Sequence, residues 1–226
     1  MRILFILLLL QFTACAMAQT PQESFDAGLL KYKAGDFRKA ENEFTNAIIS
    51  DAKFVQAYRY RGLSKMQLNN YAGALDDFDM MVKLDSTQSL GYYNRATAKV
   101  KLSNSQGAME DVSKSIALKS DFSEAYFLRG RLNNDAKLFK EALNDFNNAV
   151  EHGMQSADAY AGRAWAKHNL KDFEGSVVDI DKAIAIDDSK AEYFFNRGLS
   201  QAEMRYFTEA IRDFSQAIER NPNEPK

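Results

Sequence analysis

The chain has 226 residues, of which 46% are apolar and 27% charged, the balance of an ordinary folded, water-facing protein. A formal net charge of −2 leaves no global basic field to draw nucleic acid or anionic lipid. The single cysteine allows no intramolecular disulfide and no multi-cysteine zinc site, and the two histidines, His152 and His168, are a poor start for any other metal centre.

Residues 1–18 read as a targeting segment rather than as fold. A short positive start, Met1-Arg2, leads into the unbroken apolar run Ile3 to Leu10, and Ala16-Met17-Ala18 offers small residues where a signal peptidase reads. This predicts a secretory signal peptide cleaved before Gln19, and an apolar run too short to remain as a membrane-spanning helix. Phe12-Thr13-Ala14-Cys15 loosely resembles a bacterial lipobox, which leaves open a lipid anchor at Cys15. The expected location is therefore outside the cytoplasm, periplasmic or secreted, with an outer-membrane lipoprotein as the alternative. Thr20, Pro21 and Glu23 then form a capping box that starts the first helix.

From Pro21 onward one frame of 34 residues repeats six times without insertion or deletion: 21–54, 55–88, 89–122, 123–156, 157–190 and 191–224. Position 8 is always small: Gly28, Gly62, Ala96, Gly130, Ala164, Gly198. So is position 20, from Ala40 through Ser176 to Ala210. Position 24 is bulky: Phe44, Phe78, Val112, Phe146, Ile180, Phe214. Position 28, one helical turn later, is Ile or Val in every copy. Small residues at 8 and 20 let two helix axes approach, and the bulk at 24 and 28 fills the space between them. One such pair cannot bury its apolar face alone, whereas a stack of six can.

The period and the A-x3-F spacing of positions 20 and 24 resemble the tetratricopeptide repeat (TPR). The resemblance covers residues 21–224. It implies an all-α, right-handed α-solenoid of six stacked helix-turn-helix repeats. Departures from the common pattern are Arg at position 7 in copies two to six, Ser24 in place of an aromatic in copy one, and a terminal proline surviving only as Pro222.

Within each pair the turn falls at Gly35-Asp36, Asn69-Asn70, Ser103-Asn104, Lys137-Leu138, Lys171-Asp172 and Arg205-Tyr206. The fourth and sixth lack turn-prone residues and are placed by the frame alone. Copy three, with Ser105 after its turn and Val112 for the usual Phe, is expected to pack least well. Arg at position 7 and Asp at position 23 occur together in copies two to six and are both missing from copy one. They are expected to form a structural ladder between facing helices rather than a row of binding arginines. The last helix of copy six is followed by no further polar helix, so its outer edge is expected either to be polar enough by itself or to be covered by a partner or a second copy.

No phosphate-binding glycine loop and no Ser or Cys nucleophile motif occurs, and the adjacent acids Asp76-Asp77, Glu110-Asp111 and Asp187-Asp188 read as structural or solvated charge. Neither an enzyme nor a cofactor or metal is expected. If the array behaves as the resemblance implies, positions 2, 5, 6, 9, 12 and 13 of the first helices face a concave groove. Candidate protein-binding residues there are Phe25, Tyr32, Arg59, Tyr60, Tyr93, Asn94, Phe127, Arg131, Trp165, His168 and Phe195. Aromatics and Arg dominate binding hot spots. Some relatives clamp a partner's C-terminal carboxylate. Around Asn94 only Arg59 has a suitable charge, so no such clamp is expected, and the groove should favour an extended or helical segment with apolar anchors. The expected partner is a protein or peptide, not nucleic acid, with a homo-oligomer left open.

Overall fold

The computed structural model describes residues 19–221. The expected signal segment and Cys15 lie outside the described residues. Twelve helices and no strand occur among those described. They are α1 (Pro21–Lys33), α2 (Phe37–Ser50), α3 (Val55–Gln67), α4 (Tyr71–Leu84), α5 (Ser89–Lys101), α6 (Ser105–Leu118), α7 (Ser123–Asp135), α8 (Phe139–Glu151), α9 (Ala157–Asn169), α10 (Phe173–Ile186), α11 (Ala191–Glu203) and α12 (Phe207–Arg220). Odd-numbered helices open each repeat and even-numbered ones close it. Each packs on its neighbours in sequence, which makes the chain an all-α solenoid of six repeats. No described helix is long and apolar enough to cross a membrane.

The local chemistry sets where each helix starts and stops. At α1 the Thr20 hydroxyl accepts from the Glu23 amide at 3.1 Å, while the Glu23 carboxylate accepts from the Thr20 amide at 2.8 Å. All six turns inside the pairs are built alike. The residue at position 15 adopts positive φ, and the next amide donates back to the carbonyl five residues earlier, as in Asp36 to Lys31 (3.0 Å) and Leu138 to Asn133 (2.8 Å). Only Gly35 is a glycine; Asn69, Ser103, Lys137, Lys171 and Arg205 hold the left-handed conformation without one. In four turns an Asp or Asn at position 16 then caps the second helix, for example Asn70 accepting from the Gly73 amide at 3.0 Å. Leu138 and Tyr206 stand at that position without a side-chain cap, in the same two turns whose sequences carry no turn signal.

The interior shows why position 8 varies as it does. A Cβ added at Gly28, Gly62 or Gly198 would lie 2.5, 2.5 and 2.7 Å from the ring of Phe44, Phe78 or Phe214. Where position 24 shrinks to Val112 or Ile180, position 8 grows to Ala96 or Ala164. The two positions compensate within each copy, as close packing demands. Phe146 is held from both sides: a Cβ at Gly130 would stand 3.2 Å from its ring, and one at Gly162 of the next copy 2.5 Å.

The Arg–Asp ladder is present in copies two to six. Arg61 Nη2 donates to Asp77 at 2.6 Å and Nε at 3.0 Å; Arg95 pairs in the same two-pronged way with Asp111, Arg129 with Asp145, Arg163 with Asp179 and Arg197 with Asp213. Each aspartate is almost fully buried. In copies two to five a second donor reaches it from position 11: Lys65, Lys99 or Lys167 at 2.7–2.9 Å, and Asn133 in copy four. The remaining guanidinium nitrogen reaches back to position 25 of the preceding copy, where Thr45, Asp79, Asn147 or Asp181 accepts. Arg129 makes no such bond to Ser113, which occupies that place. The α6–α7 junction is also the most open between successive repeats, although Val112 itself is fully buried. The weakness expected of copy three thus falls on its contact with copy four.

Candidate protein-binding groove

The first helices of copies four to six enclose a cleft of about 450 Å³. Phe127, Arg131, Asn134 and Asp135 of α7 form one wall, Asp158, Ala161, Gly162 and Trp165 of α9 the floor, and Glu192, Tyr193 and Asn196 of α11 the other wall. Every one but Tyr193 stands at a position expected to face the groove. The cleft exists because copy five carries Ala161 and Gly162 where other copies place larger side chains, such as Phe25, Tyr60 or Tyr93. The Gly162 backbone is pinned as well. Its carbonyl accepts from Asn134 Nδ2 at 2.9 Å, and the Phe146 ring behind it leaves no room for a Cβ.

Trp165 lies parallel to the His168 ring, with centroids 5.7 Å apart and planes 8° from parallel. His168 Nδ1 is 2.9 Å from the Ser200 hydroxyl, which in turn donates to Ser176. Burial holds the imidazole below its usual pKa, against a smaller opposing pull from Glu203. Arg131 stands over the Phe127 ring, 5.9 Å from its centroid. Asp158 accepts from Lys190 and from the Tyr193 hydroxyl, and these bonds hold its carboxyl below the usual carboxylate range. Burial and the Asp158 bond push Tyr193 up to about 12.

Of the eleven sequence-predicted residues, Phe127, Arg131 and Trp165 line this cleft, and His168 backs it. Phe195, nearly half exposed, follows on α11. A second group gathers in copies one and two. There Tyr60 meets Phe25, Tyr32 and Phe44 with ring centroids 5.6–5.7 Å apart, and Arg59 stands over the Tyr60 ring. Two placements correct the expectation. Phe25 is only 8% exposed, wedged among Phe44, Phe54 and Tyr60, so it supports the groove from beneath. Asn94 is 6% exposed and presents no surface for a partner. Tyr93 packs against Phe122 and is half-buried. Asp135, Asp158, Ala161, Gly162 and Glu192 also line the cleft at expected groove positions but are neither aromatic nor Arg, Asn or His, the types that mark the sequence-predicted residues. The signal was there as an absence of bulk at positions 5 and 6 of copy five.

Residues 25–89 match one tetratricopeptide repeat profile and residues 191–224 another. No curated protein matches the chain. Among solved structures, Pseudomonas aeruginosa pilF superposes with a TM-score of 0.80 at 12% identity, over 90% of this chain and 93% of that one. YrrB, a TPR protein with an unusual peptide-binding site, gives 0.69 at 20% identity, over 80% and 93%. The matched chain of the APC/C hetero-tetramer Cut9-Hcn1 gives 0.78 at 17% identity, covering 91% of this chain; this chain spans only 40% of that one. At these identities the likeness is one of fold. The profile matches fall on copies one and two and on copy six, and copies three to five continue the same frame with the same helix-pair geometry, so the whole array resembles tetratricopeptide repeats.

Proposed function

We propose that the protein is a non-enzymatic binding module of the cell envelope that holds a peptide or protein segment in its concave groove. The cleft between α7, α9 and α11 carries this reading: an open hollow with an indole floor, aromatic and amide walls, and uncommitted charge. Rigid aromatic surface beside adaptable polar groups is the composition of a peptide anchor site. The TPR fold is in general a protein-interaction fold, and YrrB offers a precedent for peptide binding on it. Export rests on the pattern of residues 1–18. Mass measurement of the protein recovered from cells tests it, with a chain starting at Gln19, or at a lipid-modified Cys15, as the expected result.

The groove is tested by capture from envelope extract with the parent and with a Trp165→Ala/Phe195→Ala variant of equal helicity. Loss of the captured partner with the variant is expected. Tyr60 and Phe25 are poor choices for this test, because their rings also hold the core of copies one and two.

A second reading has its own observation. The outer face of α12 exposes Phe207, Ile211 and Ile218, and Tyr206 lies beside them. A partner retained by the groove variant but lost on Ile211→Glu would make the protein a structural subunit that joins an assembly through this edge.

A further inference from the structure

Taking the groove as a peptide site, we infer that the cleft between α7, α9 and α11 takes a lysine or arginine side chain of the bound segment, next to an apolar residue. The cleft has more carboxylate than its own cations answer. Lys190 is bonded to Asp158, and the field of Arg131 acts on Asp158 too. Asp135 and Glu192 line the same cleft, both exposed, and among the described residues neither has an ion-pair partner. An anionic ligand would face Asp135 and Glu192 with like charge.

The floor suits the stem of such a side chain. A lysine or arginine lays its methylenes along apolar surface and keeps the charged head where acceptors are. Trp165 and Phe127 supply that surface, and a cation is favoured over an indole face. A cleft of about 450 Å³ holds one such side chain and an apolar neighbour.

The test is selection of a displayed random dodecapeptide library on the full chain, followed by calorimetric titration of selected, tryptophan-free peptides into the parent and each variant. Trp165 is the chain's only tryptophan, so its emission reports occupancy of this cleft directly. The expected consensus places Lys or Arg beside Leu, Ile or Phe. Binding should weaken about tenfold in Asp135→Asn/Glu192→Gln, whose exposed positions leave the fold intact by circular dichroism, and should weaken with added salt. Selected peptides that are acidic or uncharged, or basic ones indifferent to the two neutralising substitutions, overturn the cation assignment. If such peptides still lose binding in Trp165→Ala, the groove reading survives that failure. Should no peptide be selected, or should all bind Trp165→Ala as well as the parent, the groove reading falls and the cation site with it.

Discussion

Replacing Gly62 by Ala puts a methyl group where the Phe78 ring already lies. The added Cβ would stand 2.5, 2.9 and 3.0 Å from Cε1, Cζ and Cδ1 of that ring. Carbon atoms settle at roughly 3.5–4.0 Å, so the overlap is about an ångström. Phe78 is 1% exposed and cannot swing out of the way. Overpacking of this kind costs about 3 kcal/mol at the upper end. Ala in a helix interior returns about 1 kcal/mol over Gly. A net loss of about 2 kcal/mol is expected. Phe78→Val alone leaves a cavity and should cost about 3 kcal/mol. The double variant recreates the Ala96–Val112 arrangement that copy three already uses. It should therefore be more stable than the sum of the two losses by about 2 kcal/mol, a coupling of the size seen for residues in contact. Urea unfolding followed by circular dichroism and by exchange of α3 and α4 amides measures the cycle; local exchange matters because repeat arrays need not unfold as one unit. Strict additivity, or a Gly62→Ala variant as stable as the parent, would refute the compensation between positions 8 and 24.

Asp145→Asn removes the charge that Arg129 and Asn133 converge on, and should lower the melting temperature by a loss of about 2 kcal/mol, less than a fully buried pair because Arg129 retains some access to water; an unchanged melting temperature would count against the ladder. Leu138→Asp supplies the missing cap of α8 and should stabilise by about 1 kcal/mol, read as a raised urea midpoint, with Lys137→Gly adding a gain of similar size through relief of its positive φ. Acid should destabilise the array through Asp179. Burial alone would raise the Asp179 carboxyl, but the bonds from Arg163 and Lys167 outweigh it and hold the folded pKa below the usual aspartate range. Its contribution is present above the unfolded carboxyl's pKa and is lost as pH falls through the folded pKa, so stability should drop below about pH 4, and drop less in Asp179→Asn.

Much of this was legible in the sequence because the same physics is written six times. Any one copy is a weak signal; six in phase fix the helix pairs and the small–bulky contact, and five fix the Arg–Asp pairing. What escaped were features that exist in one copy only, or between copies. The lysine at position 11 recurs in the frame at Lys65, Lys99 and Lys167, yet its partner became visible only when the fold placed Asp77, Asp111 and Asp179 against it. The reach of four of the five arginines to position 25 of the preceding copy crosses a repeat boundary, which a frame drawn within copies hides. The cleft arises where Ala161 and Gly162 break the pattern, and a search for shared features passes over an exception. Phe25 and Asn94 show the reverse error: a position that faces the groove in one copy can be covered in another, because the neighbouring copy decides how much of it remains open.

The missing bond between Arg129 and the third repeat has a mechanical meaning. Elsewhere an arginine ties each pair to the one before it, so load on one repeat passes to the next through a charged strut as well as through side-chain packing. At Arg129 that strut is absent, and the packing between α6 and α7 is the sparsest between successive repeats. Pulled from its ends, the array should give way first at this midpoint, as two stiff halves of three repeats about a compliant joint. The half beyond the joint contains the whole of the α7–α9–α11 cleft, so that cleft would travel as one rigid piece while the angle to the aromatic group around Tyr60 changes.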